Sequence, residues 1–149
     1  MFMKVIFLDF DGVLNNNSYF LNSKEKAPFF LQDEKMILLK QIVDSTNAKI
    51  VLSTSWREIW NSDLDISSKL KDYFYSFDLS VYDVTKNINY NRPLEISTWL
   101  KENNVSSYVI LDDIANPWYE HVNNVVVTNK EFNGLSQDDV NKAIDILKK

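Results

Sequence analysis

Cysteine is absent from the sequence, which removes disulfides, thiolate nucleophiles and cysteine-ligated zinc. The one histidine, His121, excludes the HExxH zinc motif and leaves at most a single imidazole base. Only two glycines occur, Gly12 and Gly134, so neither the dinucleotide-binding GxGxxG nor the phosphate-cradling GxxxxGKS/T can be formed. Long apolar runs are missing as well. Asp9 and Asp11 cut the apolar start well below the ~18 residues of a membrane span, so no membrane partner is expected. No basic stretch leads into a long apolar segment with a small-residue cleavage site, and a cytoplasmic location is expected. Positive charge is scarce: 16 Lys+Arg against 21 Asp+Glu give a net charge of −5. No broad nucleic-acid-binding surface follows from that balance, and any phosphate contact must be local. Carboxylates become the leading candidates by elimination.

What is present suffices for one core. With 45% hydrophobic residues in 149, one domain spanning residues 1–149 is expected, and no repeat, low-complexity tract or Pro/Gly/Ser linker divides it. Short apolar runs at Lys4–Leu8, Lys49–Leu52, Tyr108–Leu111 and Val125–Val127 suit strands covered on both faces, and Leu79–Thr85 reads as another. Between them the apolar residues take helical spacing: Met36, Leu39, Ile42, Val43; Ile66, Leu70, Tyr73, Phe74, Phe77; Ile96, Trp99, Leu100; and Val140, Ala143, Ile144, Leu147. Ser136 before Gln-Asp-Asp looks like an N-cap, and Pro93 marks another helix start. This alternation predicts a three-layer α/β sandwich with a mainly parallel central sheet, whose ligands gather outside the carboxyl ends of the strands.

Chemistry-bearing residues sit at those strand ends. Asp9-Phe-Asp11-Gly12 closes the first run; were the strand to continue regularly, both carboxylates would share a face and repel unless a proton or cation intervened. A hard cation such as Mg²⁺ suits such oxygen ligands. Gly12 can take positive φ and let backbone N–H groups approach an anion, although a turn glycine is the plainer alternative. A second pair, Asp112-Asp113, follows Tyr108–Leu111, with an Asx turn as its alternative. The third run ends in Ser53-Thr54-Ser55-Trp56-Arg57, where hydroxyls and a guanidinium can both donate to phosphate. Ser53 or Thr54 could equally cap a helix, and Arg57 could pair with an acid. The chain has 14 Lys but only two Arg, and the other is Arg92, beside the Pro93 helix start. His121, the charges of Lys24-Glu-Lys and Lys148-Lys149, and Trp56, Trp60, Trp99 and Trp118 read as packing, pocket wall or solvated surface.

Taken in order, DFDGV, the hydroxyls of LSTS, a basic residue before a helix and the strand-terminal LDD resemble the four motifs of the haloacid dehalogenase (HAD) superfamily. More narrowly, FLDFDGVLN, VLSTSWR, NRPLEISTWL and VILDD are similar to the small HAD domains of Swiss Army knife RNA-repair proteins. The resemblance implies a Rossmann-like phosphatase working through an aspartyl-phosphate. It makes Asp9 the nucleophile, Asp11 the acid–base, Ser53 (in reserve Thr54) a phosphate donor, and Arg92 (more weakly Lys86) the transition-state cation. Gly12 and Arg57 would contact substrate; Mg²⁺ would be held by Asp9, the Asp11 carbonyl and Asp112 or Asp113. The spacings between motifs are too short for a large cap domain, which leaves an open site. Expected substrates are a small phosphorylated metabolite, a nucleotide or a nucleic-acid end; the alternatives are a silent binding or regulatory module and a phosphotransferase.

Overall fold

The computed structural model describes residues 2–17 and 31–149. The Lys24-Glu-Lys charges and most of the loop after the first motif lie outside the described residues. In chain order the elements are β1 (Met3–Leu8), α1 (Asp33–Thr46), β2 (Lys49–Leu52), the single turn α2 (Arg57–Trp60), α3 (Asp65–Ser76), β3 (Val81–Val84), α4 (Arg92–Glu102), β4 (Val105–Asp112), β5 (Val125–Val127) and α5 (Gln137–Lys148). The five strands form one sheet in the order β3-β2-β1-β4-β5, and every pairing is parallel. This is the expected α/β, Rossmann-like layout.

Alternation along β1 divides the core. Ile6 and Leu8 join Leu52, Met36, Leu39, Leu70, Phe74, Val140 and Leu147 on the face covered by α1, α3 and α5. Val5 and Phe7 point the other way, to Val51, Ile110, Ile96, Trp99 and Trp118 beneath α4. Because both faces are covered, β1 reads in sequence as an unbroken apolar run rather than an alternating one. Helix starts follow local chemistry. Asn91 caps α4 by accepting from the Leu94 N–H, Pro93 sits in its first turn, and Ser136 and Asp139 form a reciprocal capping box on α5.

β4 is longer than its apolar run implies. Val105–Ser107 pair with Met3 and Lys4 through a register shift, so the backbone ladder carries polar residues that the apolar pattern leaves out. The strand order reverses direction at β1: β2 and β3 lie to one side, β4 and β5 to the other. Ligand sites of open parallel sheets form at such a switch point, here the crevice beyond the carboxyl ends of β1 and β4.

Candidate active site

Asp9 and Asp112 meet at that crevice because their strands are neighbours in register. Leu8 pairs with Leu111, and the Asp9 N–H donates to the Leu111 carbonyl at 3.1 Å. Carboxylate oxygens of Asp9, Asp112 and Asp113 lie within 4.8 Å of one another. Arg92, at the start of α4, places Nη1 2.9 Å from Asp9 Oδ2 and 2.8 Å from Asp112 Oδ2. Asp9 Oδ1 accepts the Phe10 N–H at 2.8 Å, and Asp112 Oδ1 accepts the Ile114 N–H at 3.0 Å.

Burial pushes the Asp9 carboxyl up to about 7; the Asp112 charge adds to the rise, while Arg92 and a hydrogen bond from the Thr54 hydroxyl oppose it. Burial likewise raises Asp112, against the pull of Arg92 and the Ile114 N–H. Burial works against the charge on Arg92, but the two carboxylates outweigh it and hold the guanidinium above its ordinary value. Three carboxylates around one guanidinium leave two negative charges in surplus when all are ionised, which one divalent cation matches. A set of hard oxygen donors fits Mg²⁺ better than a softer metal.

Asp11 stands apart from this cluster, contrary to the expectation of a shared face. β1 ends at Leu8 and the chain turns at once, with the Val13 and Leu14 N–H groups both donating to Phe10 O, so strand alternation no longer applies. The exposed Asp11 carboxylate accepts instead from Asn15 Nδ2 at 3.1 Å and from the Trp56 indole N–H at 3.0 Å. Gly12 is also repurposed. Its N–H donates to Asn15 Oδ1 at 2.8 Å rather than facing an anion, and its φ is +81°. A Cβ there would lie 2.6 Å from Asp113 Cγ, so the missing side chain is what admits Asp113 to the cluster.

Of the two neighbouring hydroxyls, Thr54 reaches Asp9; Ser53 Oγ is buried without a hydrogen-bond partner among the described residues. Arg57 is buried and takes the second of its two expected roles, pairing with an acid. Its fork grips Glu95 at 2.7 and 3.2 Å, with side-chain exposures of 7% and 0%. Glu95 Oε2 also accepts the Ile88 N–H at 2.9 Å, which ties the β3–α4 loop to the Arg57 turn. Lys86 is exposed on that loop. His121 is buried as a packing residue, its Nδ1 2.7 Å from the Tyr108 hydroxyl.

The loop after β1 is clasped from far along the chain. Thr128 Oγ1 donates to Gly12 O at 2.6 Å, the Leu135 N–H to Val13 O at 2.8 Å, and Lys35 Nζ to Leu135 O at 2.8 Å. Gly134 permits the closeness, since a Cβ there would meet Asn15 O at 2.6 Å. Sequence reasoning missed Glu95 altogether, for no local pattern marks an acid whose partner is 38 residues away. It counted Trp56 as packing or wall, although the indole N–H touches Asp11.

Neither a curated protein nor a solved structure matches the chain. Residues 5–140 match the family model described as the HAD domain in Swiss Army Knife RNA repair proteins. That span includes every residue of the acidic cluster, Arg92 and the clasped loop, and the chain therefore belongs to this family of HAD domains.

Proposed function

We propose that the protein is a Mg²⁺-dependent phosphomonoesterase working through an aspartyl-phosphate. The observation that carries this reading is the convergence of Asp9, Asp112 and Asp113 at the switch point of the sheet, with Arg92 paired to the first two. Asp9, Asp112 and Asp113 are the side chains that would hold Mg²⁺. When bound, the ion supplies positive charge that screens the Asp9 carboxylate from an incoming anionic phosphate.

The chain's own groups do the rest. An Asp9 carboxylate oxygen attacks phosphorus and the bond from phosphorus to the leaving oxygen breaks, with Asp11 giving that oxygen its proton. Asp11, now a carboxylate, takes a proton from water; the water oxygen attacks phosphorus, and the Asp9–phosphorus bond breaks to release phosphate. Arg92, already on Asp9 at 2.9 Å, offsets charge building on the phosphoryl oxygens. Thr54 replaces Ser53 as the phosphoryl donor, because its hydroxyl is the one at Asp9. Asn15 and Trp56 hold Asp11 in place. Arg57 acts at a distance, through Glu95 and the loop that leads to Arg92. Among the described residues no cap domain covers the crevice, which suits a nucleotide or a nucleic-acid end as substrate.

The test is hydrolysis of an aryl phosphate, nucleotides and 3′-phosphorylated oligonucleotides, with Mg²⁺ or EDTA, by wild type and Asp9→Asn. Turnover that needs both Mg²⁺ and Asp9 is expected. Absence of Mg²⁺-dependent turnover on every substrate would reject the reading in favour of a binding module.

A further inference from the structure

A cavity of about 250 Å³ adjoins the acidic cluster, and two residues belong to both. Arg92 lines the cavity while it binds Asp9 and Asp112; Ile114 lines it while its N–H donates to Asp112. A group attached to a phosphate held at Asp9 and Arg92 therefore has this cavity as its neighbour. Three aromatic residues stand in the rest of the wall, beside two prolines and two asparagines. Trp118 is buried and its indole N–H donates to Ile114 O at 2.7 Å, whereas Tyr90 and Tyr119 are 75% and 71% exposed.

Exposed rings are usually free to move, but these stand on constrained backbone. Tyr90 and Tyr119 both hold positive φ, 56° and 47°, a region that bulky side chains seldom adopt. The Tyr90 N–H donates to Asn87 Oδ1 at 2.8 Å, and the neighbouring Ile88 N–H to the buried Glu95. With the backbone fixed, a tyrosine has only two side-chain angles left to order, so little freedom is lost when a ring stacks on it. A small aliphatic leaving group gains little from such walls, while a flat heteroaromatic ring gains stacking, and the Asn116 amide at the rim offers it both a donor and an acceptor.

We propose that this cavity is a stacking subsite for the base of a nucleotide, so that the phosphomonoester cleaved belongs to a nucleoside, free or at the end of a strand. The proposal rests on the phosphatase reading above. It also fits the net charge of −5, since one stacked base next to one arginine needs no basic track along a polynucleotide.

The experiment compares kcat/KM for adenosine 5′-monophosphate and for ribose 5-phosphate, the same ester without its base, in Mg²⁺. Wild type is expected to favour the nucleotide by roughly 5- to 150-fold, the worth of one base–aromatic stack. Tyr90→Ala and Tyr119→Ala should each collapse that ratio, while Tyr75→Ala, at an exposed tyrosine outside the cavity, should keep it. A 3′-phosphorylated trinucleotide run alongside separates a terminal from a free nucleotide. Equal kcat/KM for the two monophosphates, or a ratio that survives both cavity substitutions, overturns the proposal. Should wild type hydrolyse neither, the phosphatase reading fails, and calorimetric titration of the same two compounds decides the subsite. Tighter nucleotide binding that is lost in the tyrosine variants upholds it; equal or absent binding rejects it.

Discussion

Replacing Arg57 by methionine keeps much of its bulk but leaves the Glu95 carboxylate, fully enclosed, with only the Ile88 N–H. Two short contacts, 2.7 and 3.2 Å, are lost together. Breaking a buried pair from one side costs about 3–5 kcal/mol, because the surviving charge is stranded in a poorly solvating interior. For a chain near 150 residues, that corresponds to a fall in Tm of roughly 6–20 °C. Glu95→Leu should cost a similar amount by stranding the guanidinium. The double variant, with no charge left to strand, should lose clearly less than the sum of the two. Urea unfolding followed by tryptophan fluorescence gives all three values, and the double-mutant cycle gives the coupling directly. If either single change costs under about 1 kcal/mol, as exposed pairs do, and the double is additive, the pair is not an internal strut. Glu95→Gln keeps the side chain's shape but also takes the counter-charge from Arg57, so stability and turnover should fall together, the latter because the loop leading to Arg92 loses part of its tether.

Thr54→Val removes the hydroxyl at constant shape and should lower kcat/KM by about 10²-fold, whereas Ser53→Ala should leave turnover near wild type; equal losses would reverse that assignment. Gly12→Ala faces both the positive φ, worth about 1–2 kcal/mol, and a Cβ 2.6 Å from Asp113 Cγ. It should weaken Mg²⁺ binding measured by calorimetry, and unchanged affinity would remove Asp113 from the ligand set. In EDTA, Asp9 titrates near 7 when folded and near 3.8 when unfolded, so the folded state binds the proton more readily. Its contribution to stability is present in full below about pH 4 and is lost as pH rises through 7, a few kcal/mol in all. Thermal unfolding in EDTA should show a larger decline in wild type than in Asp9→Asn, where the raised Asp112 carboxyl still contributes; parallel curves would contradict it.

The sequence disclosed the parts of the fold that depend on burial and the strand ends that carry acids. Val5–Leu8 are enclosed on both faces, and a strand so placed has no polar side to disguise it. The polar start of β4 is hidden, because Ser107 takes part through the backbone ladder rather than apolar contact and Ser106 falls at the register shift. Asp9 and Asp112 were legible as candidates, yet their meeting depends on β1 and β4 being neighbours, a property of topology. Asp11 was misplaced because period-two reasoning fails one residue after a strand ends. Sequence leaves Arg57 open between a substrate contact and an acid partner, because that partner is distant along the chain, and the Trp56 indole N–H lies concealed inside an aromatic letter.

The clasp on the first loop sets how much of the chain the site needs. Asp11 adjoins the residue that is held, yet Thr128, which secures Gly12, stands 116 residues further along the chain from it. A fragment ending after Asp113 would own every proposed reacting group and still lack the hold that shapes the loop between them. The smallest unit with a shaped loop is thus longer than the proposed chemistry alone requires.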